Sequence, residues 1–149
     1  MFGRWSYTCI LLLAALATPL AARERLPGPI PASVAVVIDG DTLRVKARVW
    51  LGQEVDTLVR LHGVDAPELD GRCADERSRA EDARAFVRRR TQDRPVTLVD
   101  VRTDKYGGRV LARVMAADGT DLGAALVAAG LAKAYRGGRR VPWCLPPAR

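Results

Sequence analysis

A chain of 149 residues, 48% hydrophobic and 28% charged, has the size and apolar content of one globular domain. Its formal net charge of +7 and pI near 10.0 favour a polyanionic partner, whether nucleic acid, anionic lipid or cell-wall polymer. A single histidine, His62, and three cysteines leave no set from which to build a Cys/His metal centre.

Residues 1–22 are expected to form a signal peptide. Arg4 gives a cationic start, Cys9 to Ala17 is continuously apolar, Thr18-Pro19 ends the run, and Ala21-Ala22 precede Arg23 as a cleavage site. The apolar run is roughly ten residues, short of a bilayer span; an uncleaved anchor is the alternative. Cleavage would leave a periplasmic or secreted protein with no stable membrane association. It would also remove Cys9, leaving Cys73 and Cys144 as an even pair. In an oxidising compartment that pair is expected to form one disulfide, holding the tail to the loop behind Glu68; two free thiols are the alternative. Residues 23–32, with three prolines and a glycine, read as a linker before a domain over 33–149.

Ser33 to Ile38 is expected as a first strand. Thr42 to Val49 is a second, its polar positions 42, 44, 46 and 48 alternating with Leu43, Val45, Ala47 and Val49. A turn over Leu51 to Glu54 leads to a third strand, Val55 to Leu61, and three short adjacent strands suggest a meander. A helix follows from about Asp75 to Thr91, with Ala80, Ala83, Phe86 and Val87 on one face. Asp75 suits the positive helix start, and Arg88, Arg89 and Arg90 suit its end. After Pro95, Val96 to Val101 and Gly108 to Ala116 are the fourth and fifth strands. Asp118-Gly119 turns the chain into a second helix, about Asp121 to Ala129, stopped by Gly130. Mainly β with α (α+β), with one helix between the third and fourth strands, is the order of a five-stranded OB-fold barrel with two packed helices.

Three segments carry the polar chemistry. Asp39-Gly40-Asp41 lies between the first two strands. Arg60 to Glu68 carries a cation off the third strand, through Gly63, to Asp65, Pro67 and Glu68. Asp104-Lys105-Tyr106-Gly107-Gly108-Arg109 lies between the fourth and fifth strands. Together they offer hard oxygen ligands, two guanidinium groups and a spare carboxylate. In order and approximate spacing the three motifs resemble the thermonuclease family, the staphylococcal nuclease-like domain, over roughly Ser33 to Tyr135.

Phosphodiester cleavage needs an activated water, neutralisation of the phosphate charge and in-line geometry. A hard cation held by carboxylates and carbonyls suits the first two needs, with Asp41 and Asp65 as the obvious ligands. The resemblance implies calcium, the same two acids and the carbonyl of Ala66, where the family pattern usually has Thr. Asp39 either supports these ligands or caps a turn. Glu68 is the candidate general base. Arg60 and Arg109 are the candidate phosphate clamps, since a guanidinium donates two parallel hydrogen bonds to phosphate oxygens. The family has one glycine between its Lys-Tyr and arginine, whereas Gly107 and Gly108 both stand here, so a one-residue bulge is expected to restore the register. The resemblance further implies that Lys105, Tyr106 and Tyr135 contact nucleic acid, with the tyrosines as stacking faces.

Beyond Tyr135, Arg136-Gly-Gly-Arg139-Arg140 is either a solvated tail or a basic strip beside the groove. The whole reads as a monomeric, calcium-dependent nuclease acting on DNA and/or RNA with little sequence preference. The alternatives are a catalytically inactive nucleic-acid binding module on the same fold and an envelope polyanion binder.

Overall fold

The computed structural model describes residues 24–144, so the expected signal peptide and Cys9 lie outside the described residues. Strands β1 (Arg25–Leu26), β2 (Ile30–Val37), β3 (Thr42–Trp50), β4 (Gln53–Leu61) and β5 (Val64–Asp65) precede helix α1 (Ala74–Thr91). Strands β6 (Pro95–Thr103) and β7 (Arg109–Met115), helix α2 (Leu122–Ala128) and strand β8 (Lys133–Ala134) follow.

The expected meander is present: β3 pairs antiparallel with both β2 and β4. β4 then pairs in parallel with β7, β7 antiparallel with β6, and β6 with β2, closing a five-stranded barrel. Closure satisfies the ladder hydrogen bonds that an open sheet would leave on its edges. The architecture is thus the OB-fold-type barrel with two helices that the element order predicts. Among the described residues, no helix is long and apolar enough to cross a membrane.

Alternation places Leu43 and Val45 of β3, Val59 and Leu61 of β4, Leu98 of β6 and Val114 of β7 inside the barrel, all essentially without solvent contact. Ala83 and Val87 of α1 and Leu122 and Leu126 of α2 cap this core, each burial contributing roughly 1–3 kcal/mol. Helix α1 buries the predicted face of Ala80, Ala83, Phe86 and Val87. Its N-cap is Cys73, which supplies no side-chain cap, while Asp75 in the first turn pairs with Arg79. In α2 the Asp121 carboxylate accepts hydrogen bonds from the N–H groups of Gly123 and Ala124, the usual reward for an aspartate at this position.

Three expectations change. Val49 is 51% exposed rather than inward, because the β3–β4 pairing slips between Arg48 and Trp50 and leaves it outside the register. The segment read as a linker enters the sheet: Arg25 and Leu26 pair with Arg102 and Val101, and Ile30, Pro31 and Ala32 pair with β6. Pro27 and Pro29 sit between these short pairings, where a missing N–H is tolerated, and Pro31 lies within the second, opposite Thr97. The extra glycine of Gly107-Gly108 is absorbed in the turn before β7, with Gly108 at φ +84°, and makes no bulge in that strand. The register break of this hairpin lies in β6, between Val99 and Arg102.

Cys73 and Cys144 form the expected disulfide, with their Cα atoms 6.0 Å apart. Glu76 lies beside them, and the ligand atoms of the three residues fall within 4.8 Å of one another. Both sulfurs are committed to the covalent bond, so the trio is no metal site, and the 3.3 Å approach of Cys144 Sγ to Glu76 Oε2 is a contact rather than a thiol hydrogen bond. The bridge closes a loop with a sequence separation of 71 residues. Replacing both cysteines by serine is expected to lower the unfolding free energy by about 2–4 kcal/mol, read from urea titrations with matched slopes.

Candidate functional site

The site grows from the end of β4. Arg60 stands opposite Thr42 of β3 and Leu111 of β7, on the outer face of the barrel. Val59 and Leu61 on either side of it point into the core, so strand parity alone forces the guanidinium outward. Arg60 Nη1 donates to Asp41 Oδ1 at 2.7 Å, and Nη2 lies 3.6 Å from Asp65 Oδ1. Asp41 immediately precedes β3 and Asp65 closes β5, so one side chain of β4 ties the three segments together.

Asp41 and Asp65 are each only 3% exposed. Asp41 Oδ2 accepts the N–H of Ala66 at 3.0 Å, and Oδ1 accepts the Thr42 hydroxyl at 3.1 Å. Burial dominates its titration and lifts the carboxyl from the ordinary 3.8 to about 6, against the pull of Arg60 and the Ala66 N–H. Asp39 adds to the rise by its charge. Its Oδ1 accepts the Asp41 N–H at 3.0 Å, the turn-capping arrangement.

Gly40 has a steric reason to be glycine. A Cβ there would come within 2.7 Å of Ala83 Cβ on α1 and 2.9 Å of Ala66 Cβ. Helix α1 is thereby packed directly onto the Asp-Gly-Asp turn, with Ala66 pressed against its other side. Gly40→Ala is expected to destabilise the fold by about 1–3 kcal/mol and to weaken divalent-ion binding, because the turn and Ala66 must move apart. Thermal melts with and without calcium check both parts; a melt matching wild type would show that the packing gives way freely.

Glu68 joins the cluster through a residue that sequence reasoning did not place there. Arg140 Nη1 donates to Glu68 Oε1 at 2.6 Å, and Arg140 Nε lies 2.5 Å from Asp65 Oδ1. The second approach is an ion pair without hydrogen-bond alignment, and Asp65 Oδ1 is accordingly a buried oxygen with no aligned donor. Burial opposes the charge on Arg140, but the hydrogen bond to Glu68 and the two carboxylates outweigh it and raise its pKa. The only sequence signal for Arg140 was the basic strip after Tyr135. Asp41, Arg60, Asp65, Ala66, Glu68 and Arg140 are therefore one connected group.

Arg109 lies outside that network. It pairs with Leu58, so it shares the outer face of Arg60 one step along the neighbouring strand. Its Nε donates to the buried Asp104. Burial pushes the Asp104 carboxyl up, but the hydrogen bond and charge of Arg109 and the N–H groups of Lys105 and Tyr106 outweigh it, and the pKa is lowered. Lys105 Nζ and Arg109 Cζ lie 4.8 and 5.1 Å from the centre of the exposed Tyr106 ring. Tyr135 follows β8, with its N–H on Gly63 O, just before the Asp65 turn, and its hydroxyl on Gly138 O. Lys105, Tyr106 and Arg109 form a second group, joined to the first through the β4–β7 pairing.

The buried carboxylates of Asp41 and Asp65, one of their oxygens without an aligned donor, are a donor set that fits a hard divalent cation. The same acids also hold Arg60 and Arg140, so a bound cation would share them with these guanidinium groups.

Comparison with curated proteins finds no match to the chain. The family model described as staphylococcal nuclease homologue matches residues 58–142. The match begins later than the motif resemblance and runs past Tyr135, taking in Arg60, Asp65, Glu68, Arg109 and Arg140. Asp41 lies ahead of it and is tied to it by Arg60 and Ala66. With more than half of its length matched and the barrel and acid–arginine cluster in place, the chain belongs to the staphylococcal nuclease homologue family.

Proposed function

We propose that the protein is an exported, calcium-dependent nuclease that hydrolyses phosphodiester bonds in DNA and/or RNA with little sequence preference. One observation carries this reading: Asp41, Arg60, Asp65 and Glu68, from separate elements, are linked side chain to side chain at one place on the barrel. Its membership of a nuclease-type family and its basic charge support the choice of substrate. The apolar N-terminal run and the Cys73–Cys144 bridge support export.

In this reading Asp41, Asp65 and the Ala66 carbonyl hold the metal, which when bound neutralises phosphate charge and makes a coordinated water more acidic. Glu68 takes the proton from the attacking water at its carboxylate. Arg60, held rigid by two acids, presents its remaining N–H groups to the phosphate as charge develops on it. Arg109 lies on the same face to bind a neighbouring oxygen, which requires exchange of its Asp104 partner. The exposed ring of Tyr106, with Lys105 beside it, offers a stacking surface and a counter-charge to the strand, and Tyr135 adds a second ring near the Asp65 turn. Stacking accepts every base, hence the weak sequence preference.

The test is end-labelled single-stranded DNA and RNA incubated with the mature protein in calcium, in chelator and after restoration of calcium. Internal cleavage that follows the calcium is expected. Binding without products in all three conditions would establish the inactive binding module instead.

A further inference from the structure

We propose that Arg140 is a third phosphate-binding guanidinium of this site, delivered by a tail that the Cys73–Cys144 disulfide fastens down. The proposal rests on the reading of the site as a nucleic-acid phosphodiester site and adds a binding residue to it.

The tail departs from the site and comes back to it. Strand β8 pairs with β5, setting Lys133 opposite Asp65 and Ala134 opposite Val64. The chain then turns through Gly137 and Gly138, at φ +94° and +88°, a pair of left-handed positions that only glycine takes without strain. The turn is braced by the Tyr135 hydroxyl on Gly138 O. It brings Arg140 back onto Asp65 and across to Glu68. Beyond Arg140 the chain is fastened again: Lys133 Nζ donates to Pro142 O at 2.9 Å and lies 4.0 Å from the Trp143 ring centre, and Cys144 is bonded to Cys73. A glycine-rich excursion is costly to order, and here it is anchored on both sides of one arginine.

Two arginines share Asp65, and they differ in access. The Arg60 side chain is 13% exposed and Arg140 45%. Arg60 is a fixed element of the site; Arg140 is at its mouth, with N–H groups beyond those given to Asp65 and Glu68. The carboxylates orient the planar group, so little freedom remains to be lost when a phosphodiester oxygen is bound. Arg136 and Arg139, exposed on the same segment, extend the positive charge along the path a strand would follow.

The experiment measures anisotropy of a fluorescent single-stranded oligonucleotide in chelator, across a salt series. It compares wild type, Arg140→Ala, Arg140→Lys, the double variant Cys73→Ser/Cys144→Ser and that double variant carrying Arg140→Ala. Arg140→Ala is expected to weaken binding about tenfold and to reduce the salt slope by about one, with Arg140→Lys recovering part of the loss. The cysteine variant is expected to match Arg140→Ala, and adding Arg140→Ala to it is expected to change binding by less than about twofold. Arg140→Ala within about twofold of wild type, with an unchanged slope, would overturn the binding role. Full additivity with the cysteine variant would overturn delivery by the tail. Because the readout is binding without metal, absence of cleavage by wild type would count against the nuclease reading alone. In calcium, a raised KM with little change in kcat is the expected kinetic counterpart.

Discussion

Glu68→Gln is expected to lower calcium-dependent cleavage by about 10²–10⁴-fold while leaving oligonucleotide binding within a few-fold of wild type. The geometry makes this a clean substitution. The Glu68 side chain is 38% exposed and, among the described residues, makes one polar contact, the bond accepted from Arg140. Glutamine keeps the size and an oxygen for that bond but has no basic carboxylate. What is removed is the capacity to take a proton from water, and the barrel should melt at the wild-type temperature. The loss should lie in kcat, since a proton-transfer group contributes in the transition state and little in the ground state. A variant that retains wild-type kcat would assign the base role elsewhere and leave Glu68 as an anchor for Arg140.

Arg60→Met should be the most destabilising change at the site. Asp41 and Asp65 are both almost wholly buried, and Arg60 is the cation that touches both from within the barrel wall. Its removal strands Asp41 in a poorly solvated place and leaves Asp65 with Arg140 alone, a loss of about 3–5 kcal/mol by the measure of broken buried ion pairs. The distinguishing result comes from adding calcium. A divalent cation held by the same acids should stabilise the variant more than wild type, because it replaces the missing charge. Cleavage should remain depressed even when calcium has restored the melt, because the phosphate has lost its guanidinium. Urea titrations in chelator and in calcium read the first effect, and the cleavage assay the second. Equal stability of variant and wild type in chelator would mean that the acids are neutralised by some means other than Arg60.

Much of this arrangement was legible along the chain because it depends on short-range pattern. Alternation from Thr42 to Ala47 identified β3 and its inward side, and the spacing of Ala80, Ala83, Phe86 and Val87 identified the buried stripe of α1. Asp41, Arg60, Asp65 and Glu68 stood out because their residue types suit one chemistry and occur in an ordered set, and the structure brings them together. The missing parts are those with no local signature. Two-residue pairings such as β5–β8 show no periodicity, so the support beneath Asp65 could not be read. The role of Gly40 as a contact surface for α1 depends on residues far along the chain. Arg140 was seen as one charge in a basic strip; its arrival at Asp65 and Glu68 needs the Gly137-Gly138 turn and the disulfide together. Arg109 was expected on phosphate, and its hold on Asp104 arises from a turn whose shape the paired glycines set.

The parallel pairing of β4 with β7 has a consequence for the order of events in folding. Every other seam of the barrel is antiparallel, and this one joins Leu58 to Arg109 across the whole of α1 and β6. Such a distant junction, like the still longer-range β2–β6 seam, carries a large loop-closing penalty and is expected to form later than the hairpins. Arg60 and Arg109 become neighbours only at that step. A nascent or half-assembled chain would therefore hold its arginines apart and have no grip on a nucleic-acid strand, so recovery of oligonucleotide affinity during refolding should lag behind the regain of secondary structure.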